Sequence, residues 1–135
     1  MTKPILCLDF DGVLHSYTSG WKGATVIPDP PVPGAMAFLV EAVEHFQVAV
    51  YSSRSNQLGG IYAMQEWLCG WLQEWASENP ERWPSQEWRD KVLDAIQWPI
   101  VKPPAFVGID DRVLTFTGKW PEMTELLAFK PWNKS

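Results

Sequence analysis

The chain has 135 residues, enough for one compact domain and too few for two ordinary ones. Its 46% hydrophobic content can fill a core without a disulfide or metal staple. A formal charge of −5, a pI near 4.9 and the lack of any Lys/Arg block exclude the broad basic surface that grips polyanions.

In chain order, residues 4–9 form a continuous apolar run, the pattern of a strand covered on both faces. It leads into "LDFDG", which sets Asp9 and Asp11 at the strand's end. Residues 15–33 are rich in turn formers, "TSGWKG" and "PDPPVPG" bracketing "ATVI", and predict a projecting loop or small hairpin. The spacing in "PGAMAFLVEAVEHF" predicts a helix from about Pro33 to His45, with Phe38, Leu39, Val43 and Phe46 on one side. "QVAVYSS" reads as a second buried strand ending at Ser52. A helix with a wide apolar stripe is expected from Ile61 to Ala76, followed by a break at "NPERWPS". Ser85 is placed to cap the next helix, "QEWRDKVLDAI". Then come the short apolar "WPIVK", a third buried strand "AFVGIDD", a loop "DRVLTF" and a final short helix "EMTELLAF".

Strand, helix, strand, helices, strand is the pattern of an α/β sandwich with a mostly parallel sheet. In such sheets ligands bind beyond the carboxyl ends of the strands. Asp9, Asp11, Ser52, Asp110 and Asp111 all fall there. Several carboxylates on one spot repel each other unless a cation lies among them, and an all-oxygen set suits a hard ion such as Mg²⁺. One carboxylate is then free to attack phosphorus, forming an aspartyl-phosphate, while a second moves the proton. Gly12 lets the backbone turn sharply so that amides approach a phosphate.

Cys7 and Cys69 stand outside any CxxC or Cys/His cluster and read as small hydrophobes, which argues against zinc. Most of the nine tryptophans read as core and helix-packing mass. No run approaches the ~18 apolar residues of a membrane span, and no signal-peptide pattern precedes the first strand. A cytoplasmic protein with no membrane partner is expected.

"LDFDGVLHS", "VAVYSSRS" and "FVGIDDR", in that order, resemble three motifs of the haloacid dehalogenase-like (HAD) phosphohydrolase superfamily. The resemblance implies a three-layer sandwich with a Rossmann-like sheet and helices on both faces, as one domain over residues 1–135. It also implies a short flap at about 14–34 and no large cap. Asp9 is then nucleophile and metal ligand. Asp11 is general acid/base and reaches the metal through its main-chain carbonyl. Ser52 holds the phosphoryl group, and Asp110 with Asp111 completes a Mg²⁺ site. The lysine of the remaining motif is Lys102 in "IVKPPA", with Lys91 as the competitor. Gly12, Ser53 and Arg54 are the expected substrate-binding residues. "SSR" and "IDDR" are also similar to the phosphatase domains of polynucleotide kinase/phosphatase proteins, by which Arg54 would contact substrate phosphate. Arg112 would pair with a neighbouring carboxylate. His15 is expected to bridge its loop or touch substrate, and Tyr17 and Trp21 to line the entrance.

Three functions follow. The first is a Mg²⁺-dependent phosphatase acting on a small phosphomonoester. The second is a nucleic-acid 3′-phosphatase, which needs a basic groove built from Lys22, Arg54, Arg112 and Lys119. The third is a non-catalytic metal- or phosphate-binding domain that recruits a partner, marked by an exposed apolar patch. Whether a protein partner or second copy completes the site is open at this level.

Overall fold

The computed structural model describes residues 2–80 and 86–133. Three strands form an open, all-parallel sheet: β1 (Ile5–Leu8), β2 (Gln47–Val50) and β3 (Val107–Ile109), in the order β2-β1-β3. Helices α1 (Ala35–His45), α2 (Gly60–Ser77), α3 (Gln86–Ala95) and α4 (Met123–Leu127) complete the α/β architecture. Register is set by Leu6 against Val48 and Val107, and by Leu8 against Val50 and Ile109. Ser85, expected to cap α3, lies outside the described residues.

Strand alternation sends Leu6, Leu8, Val48 and Val50 to one face. There they share a single core with Met36, Leu39 and Val40 of α1, Met64, Leu68 and Leu72 of α2, and Val92 of α3. These three helices pack against one another. The second helical layer expected of a three-layer sandwich is therefore not what the described residues build. After β3 the chain is interrupted by Gly118 and Pro121, and its one helix there, α4, is five residues long with none buried. Such a helix is too short to cover a sheet face.

Two expectations of burial are corrected by this arrangement. β3 is exposed along its whole length rather than buried, because the helices cover β1 and β2 and no strand lies outside it among the described residues. In α1 the buried stripe is Ala35, Met36, Leu39, Val40 and Ala42, and Phe38 falls off it at 44% exposure. Trp67 is the buried indole of α2, with Trp71 and Trp75 packed at the core's margin. Cys69 is exposed rather than internal. Beyond β2, Gln97 extends the sheet by one residue, donating to the Val48 carbonyl and accepting from the Val50 N–H.

The segment expected to project instead folds back on the body. It stays irregular, but Val32 N–H donates to Leu14 O, Ser16 N–H to Pro30 O, and the Trp67 indole to Asp29 O. No helix of the described residues is long and apolar enough to cross a membrane.

Candidate active site

Asp9 follows β1 directly, and its N–H donates to Ile109 O while Tyr51 N–H donates to Leu8 O. The ladder thus continues one residue past β1 and β2. Alternation puts Asp9, Tyr51 and Asp110 together with Cys7 on the face away from the helices. Carboxylate oxygens of Asp9, Asp110 and Asp111 lie within 4.8 Å of one another. This brings three of the four expected metal-site aspartates into one cluster.

The cluster is electrostatically loaded. Burial, then the neighbouring Asp110 charge, pushes Asp9 up to about 8. Asp111 is raised too, first by burial. Its side chain is only 2% exposed, and its oxygens have no partner beyond the Asp9 carboxyl and its own backbone N–H. Only a proton held by Asp9 or a cation supplies what those oxygens lack. An all-carboxylate donor set with an orphaned buried member fits a hard divalent ion, Mg²⁺ among them.

Gly12 shows why the turn needs glycine. Its φ is 83°, and a Cβ there would fall 2.1 Å from Asp111 Oδ2. Its N–H donates to His15 O and its carbonyl accepts from the Trp132 indole, so the Gly12 amide is already engaged. Arg112 N–H donates to Asp110 Oδ1, and the Arg112 guanidinium stands 4.0 Å from Asp111, mostly in solvent.

A recess of about 460 Å³ opens over the cluster, lined by Asp9, Asp11, Tyr17, Tyr51, Ser52 and Ser53 with Asp110 and Arg112. Ser52 is buried, and its Oγ accepts from Arg54 N–H, which leaves its own hydroxyl proton to donate. Lys102 shares a second groove with Asp9, Tyr51 and Asp110, whereas Lys91 sits exposed on α3 and borders neither opening. Tyr17 reaches the recess from a left-handed backbone, φ 62°, a strained setting of the sort found at functional sites. Comparison with family models, with characterised proteins and with solved structures returns no match, so the site stands on its own geometry.

The carboxylate of Asp11 lines the same recess but lies outside the three-aspartate cluster. Its partners are His15 and Arg54. Arg54 donates through Nε at 2.9 Å to Oδ2 and through Nη2 at 3.1 Å to Oδ1. Arg54 is wholly buried and absent from the recess lining, so it is not placed to grip a substrate phosphate. A fork of five donors is satisfied by whichever acceptors the fold provides, and the sequence does not say which.

His15 is equally buried. Asp29 N–H donates to its Nε2 at 3.1 Å, which makes Nε2 the acceptor and leaves the proton on Nδ1. Nδ1 then donates to Asp11 Oδ1 at 2.9 Å. His15 is thus a bridge rather than a substrate contact. Asp29 and Tyr51 were not expected at the site. The turn-rich surroundings of Asp29 hid it, while Tyr51 was legible from its place just before Ser52.

Proposed function

We propose that the chain is a HAD-like, Mg²⁺-dependent phosphohydrolase acting on a small phosphomonoester. The observation that carries this reading is the orphaned, buried Asp111 carboxylate beside Asp9 and Asp110 at the ends of adjacent parallel strands. A divalent ion held by these three residues would neutralise charge on a bound phosphate. Asp9 attacks phosphorus as the bond to the leaving oxygen breaks, giving an aspartyl-phosphate. Asp11 delivers a proton to that oxygen and then takes one from the water that cleaves the acyl phosphate, releasing inorganic phosphate and restoring Asp9. Ser52 donates to a phosphoryl oxygen, and Lys102 balances charge from the neighbouring groove. Catalysis of this kind is mostly positioning and electrostatics.

The test is phosphate release from p-nitrophenyl phosphate and a panel of phosphomonoesters, with Mg²⁺ or with EDTA. Turnover that needs the metal and falls at least ~10³-fold in Asp9→Asn is expected. Turnover unchanged by EDTA or by that substitution would sink the reading.

The 3′-phosphatase alternative loses Arg54 from its basic groove, since that guanidinium is buried. The binding-domain alternative draws on one observation, the run of exposed apolar side chains from Ile100 to Trp132. Metal binding without turnover on any ester would favour it.

A further inference from the structure

Arg54 does more than satisfy Asp11. The far side of the same guanidinium, Nη1, donates to three carbonyls of the flap: Gly23 at 2.8 Å, Ala24 at 2.9 Å and Val26 at 3.2 Å. Its Cζ lies over the rings of Phe10 and Trp21, 5.9 Å and 4.8 Å from the two centroids. One buried side chain therefore joins the expected acid/base to the middle of the flap.

A second tie runs in parallel. His15 links Asp11 to the Asp29 amide, and the Asp29 carboxylate accepts from the N–H and the hydroxyl of Ser19. The Trp67 indole fixes the Asp29 carbonyl from α2. Both limbs of the flap thus end on one carboxylate.

Arg54 is itself held in place from behind. Its N–H donates to Ser52 Oγ, and Ser52 N–H donates to Ser55 Oγ. Gly60, the first residue of α2, packs so tightly on it that a Cβ would fall 1.9 Å from the Arg54 carbonyl oxygen. To lift the flap would break three hydrogen bonds to one buried guanidinium at once and pull Trp21 off its face. That cost opposes a lid that opens in each catalytic cycle.

We propose that Arg54 is a positioning residue that latches the flap to Asp11, making the flap a fixed wall of the site and not a moving lid. The proposal rests on the phosphohydrolase reading for the role of Asp11, but the latch itself does not. Substrate then enters past the exposed side, over Ser53, Asp110 and Arg112, and the flap acts by holding the Asp11 carboxylate in one orientation.

The experiment compares wild type, Arg54→Lys and Arg54→Ala by amide hydrogen exchange and by steady-state kinetics on p-nitrophenyl phosphate. Arg54→Lys keeps the charge, loses the fork, and guards against a variant that fails to fold. Flap amides at 19–29 are expected to exchange slowly in wild type, with or without inorganic phosphate, and at least ~10-fold faster in Arg54→Lys, while α2 is unchanged. Misplacing Asp11 is expected to lower kcat by ~10²-fold with KM within about threefold. Flap exchange unchanged by the substitution would overturn the latch. A loss confined to KM, as a phosphate contact would give, would overturn the positioning role. If wild type shows no metal-dependent turnover, the phosphohydrolase reading fails while the exchange data still decide the latch.

Discussion

Residues 2–77 and residues 97–133 fold under different rules. In the first region Leu8, Leu39, Val50 and Leu68 are sealed from solvent, and even an arginine and a histidine are fully enclosed with partners. In the second, Phe106, just before the edge strand β3, is 75% exposed, and Leu127 on the short helix α4 is 87% exposed. The candidate site is divided between them. Asp9, Asp11 and Ser52 stand on the packed region, whereas Asp110 and Asp111 arrive on the lightly buried one. A cation shared by Asp9, Asp110 and Asp111 would hold the two together, and metal binding would add to the stability of the fold.

The largest expected effect that can break this comparison is a pair of truncations. Leu8→Ala is expected to cost about 2–5 kcal/mol in urea unfolding. Leu127→Ala, removing the same atoms from an exposed site, is expected to stay within about 0.5 kcal/mol. Similar losses would show that the second region has a hidden core.

The next effect sharpens the division through pH. Asp9 is held at about 8 in the folded protein, against an ordinary carboxyl range near 3.8. Between those values the folded state keeps a proton that the unfolded state has lost, so stability falls as pH rises from about 4 to about 8. The slope is bounded by ~1.4 kcal/mol per pH unit for one group. Thermal unfolding in EDTA at pH 5 and pH 8 should show the drop, and saturating Mg²⁺ or Asp9→Asn should flatten it. A Tm that is level in EDTA would mean that the carboxylates are not crowded.

Smaller still is Gly12→Ala. A left-handed φ and contact with Asp111 together are expected to cost about 1–3 kcal/mol. Displaced Asp111 should also weaken Mg²⁺ binding, measured by calorimetry. Unchanged affinity would separate the turn from the metal cluster.

Much of the packed region was legible because its signals are local. Helix α2 was expected at Ile61–Ala76 and runs Gly60–Ser77, and the strand of Val48 and Val50 reads directly from its apolar run. The acidic positions were legible too, since parallel strands send their carboxyl ends to one edge. What failed was long-range. The apolar letters of β3 say that it is a strand, but not that the helices stop short of it. Phe38 was expected inside because apolar spacing allows a stripe that includes it, whereas the stripe that meets the core runs through Ala35, Met36, Leu39, Val40 and Ala42. Arg54 was expected on substrate because a guanidinium's partner is chosen by tertiary contact, here by a flap some 30 residues earlier in the chain.

Trp132 donates from its indole to the carbonyl of Gly12, and Asn133 donates to Ser16 O, joining ends of the described chain 120 and 117 residues apart. That indole is 60% exposed and hydrogen-bonded within the turn that carries the candidate nucleophile and acid/base. The emission lost on Trp132→Phe, set against the other eight indoles, is therefore an optical report on the first turn from a residue 120 positions away.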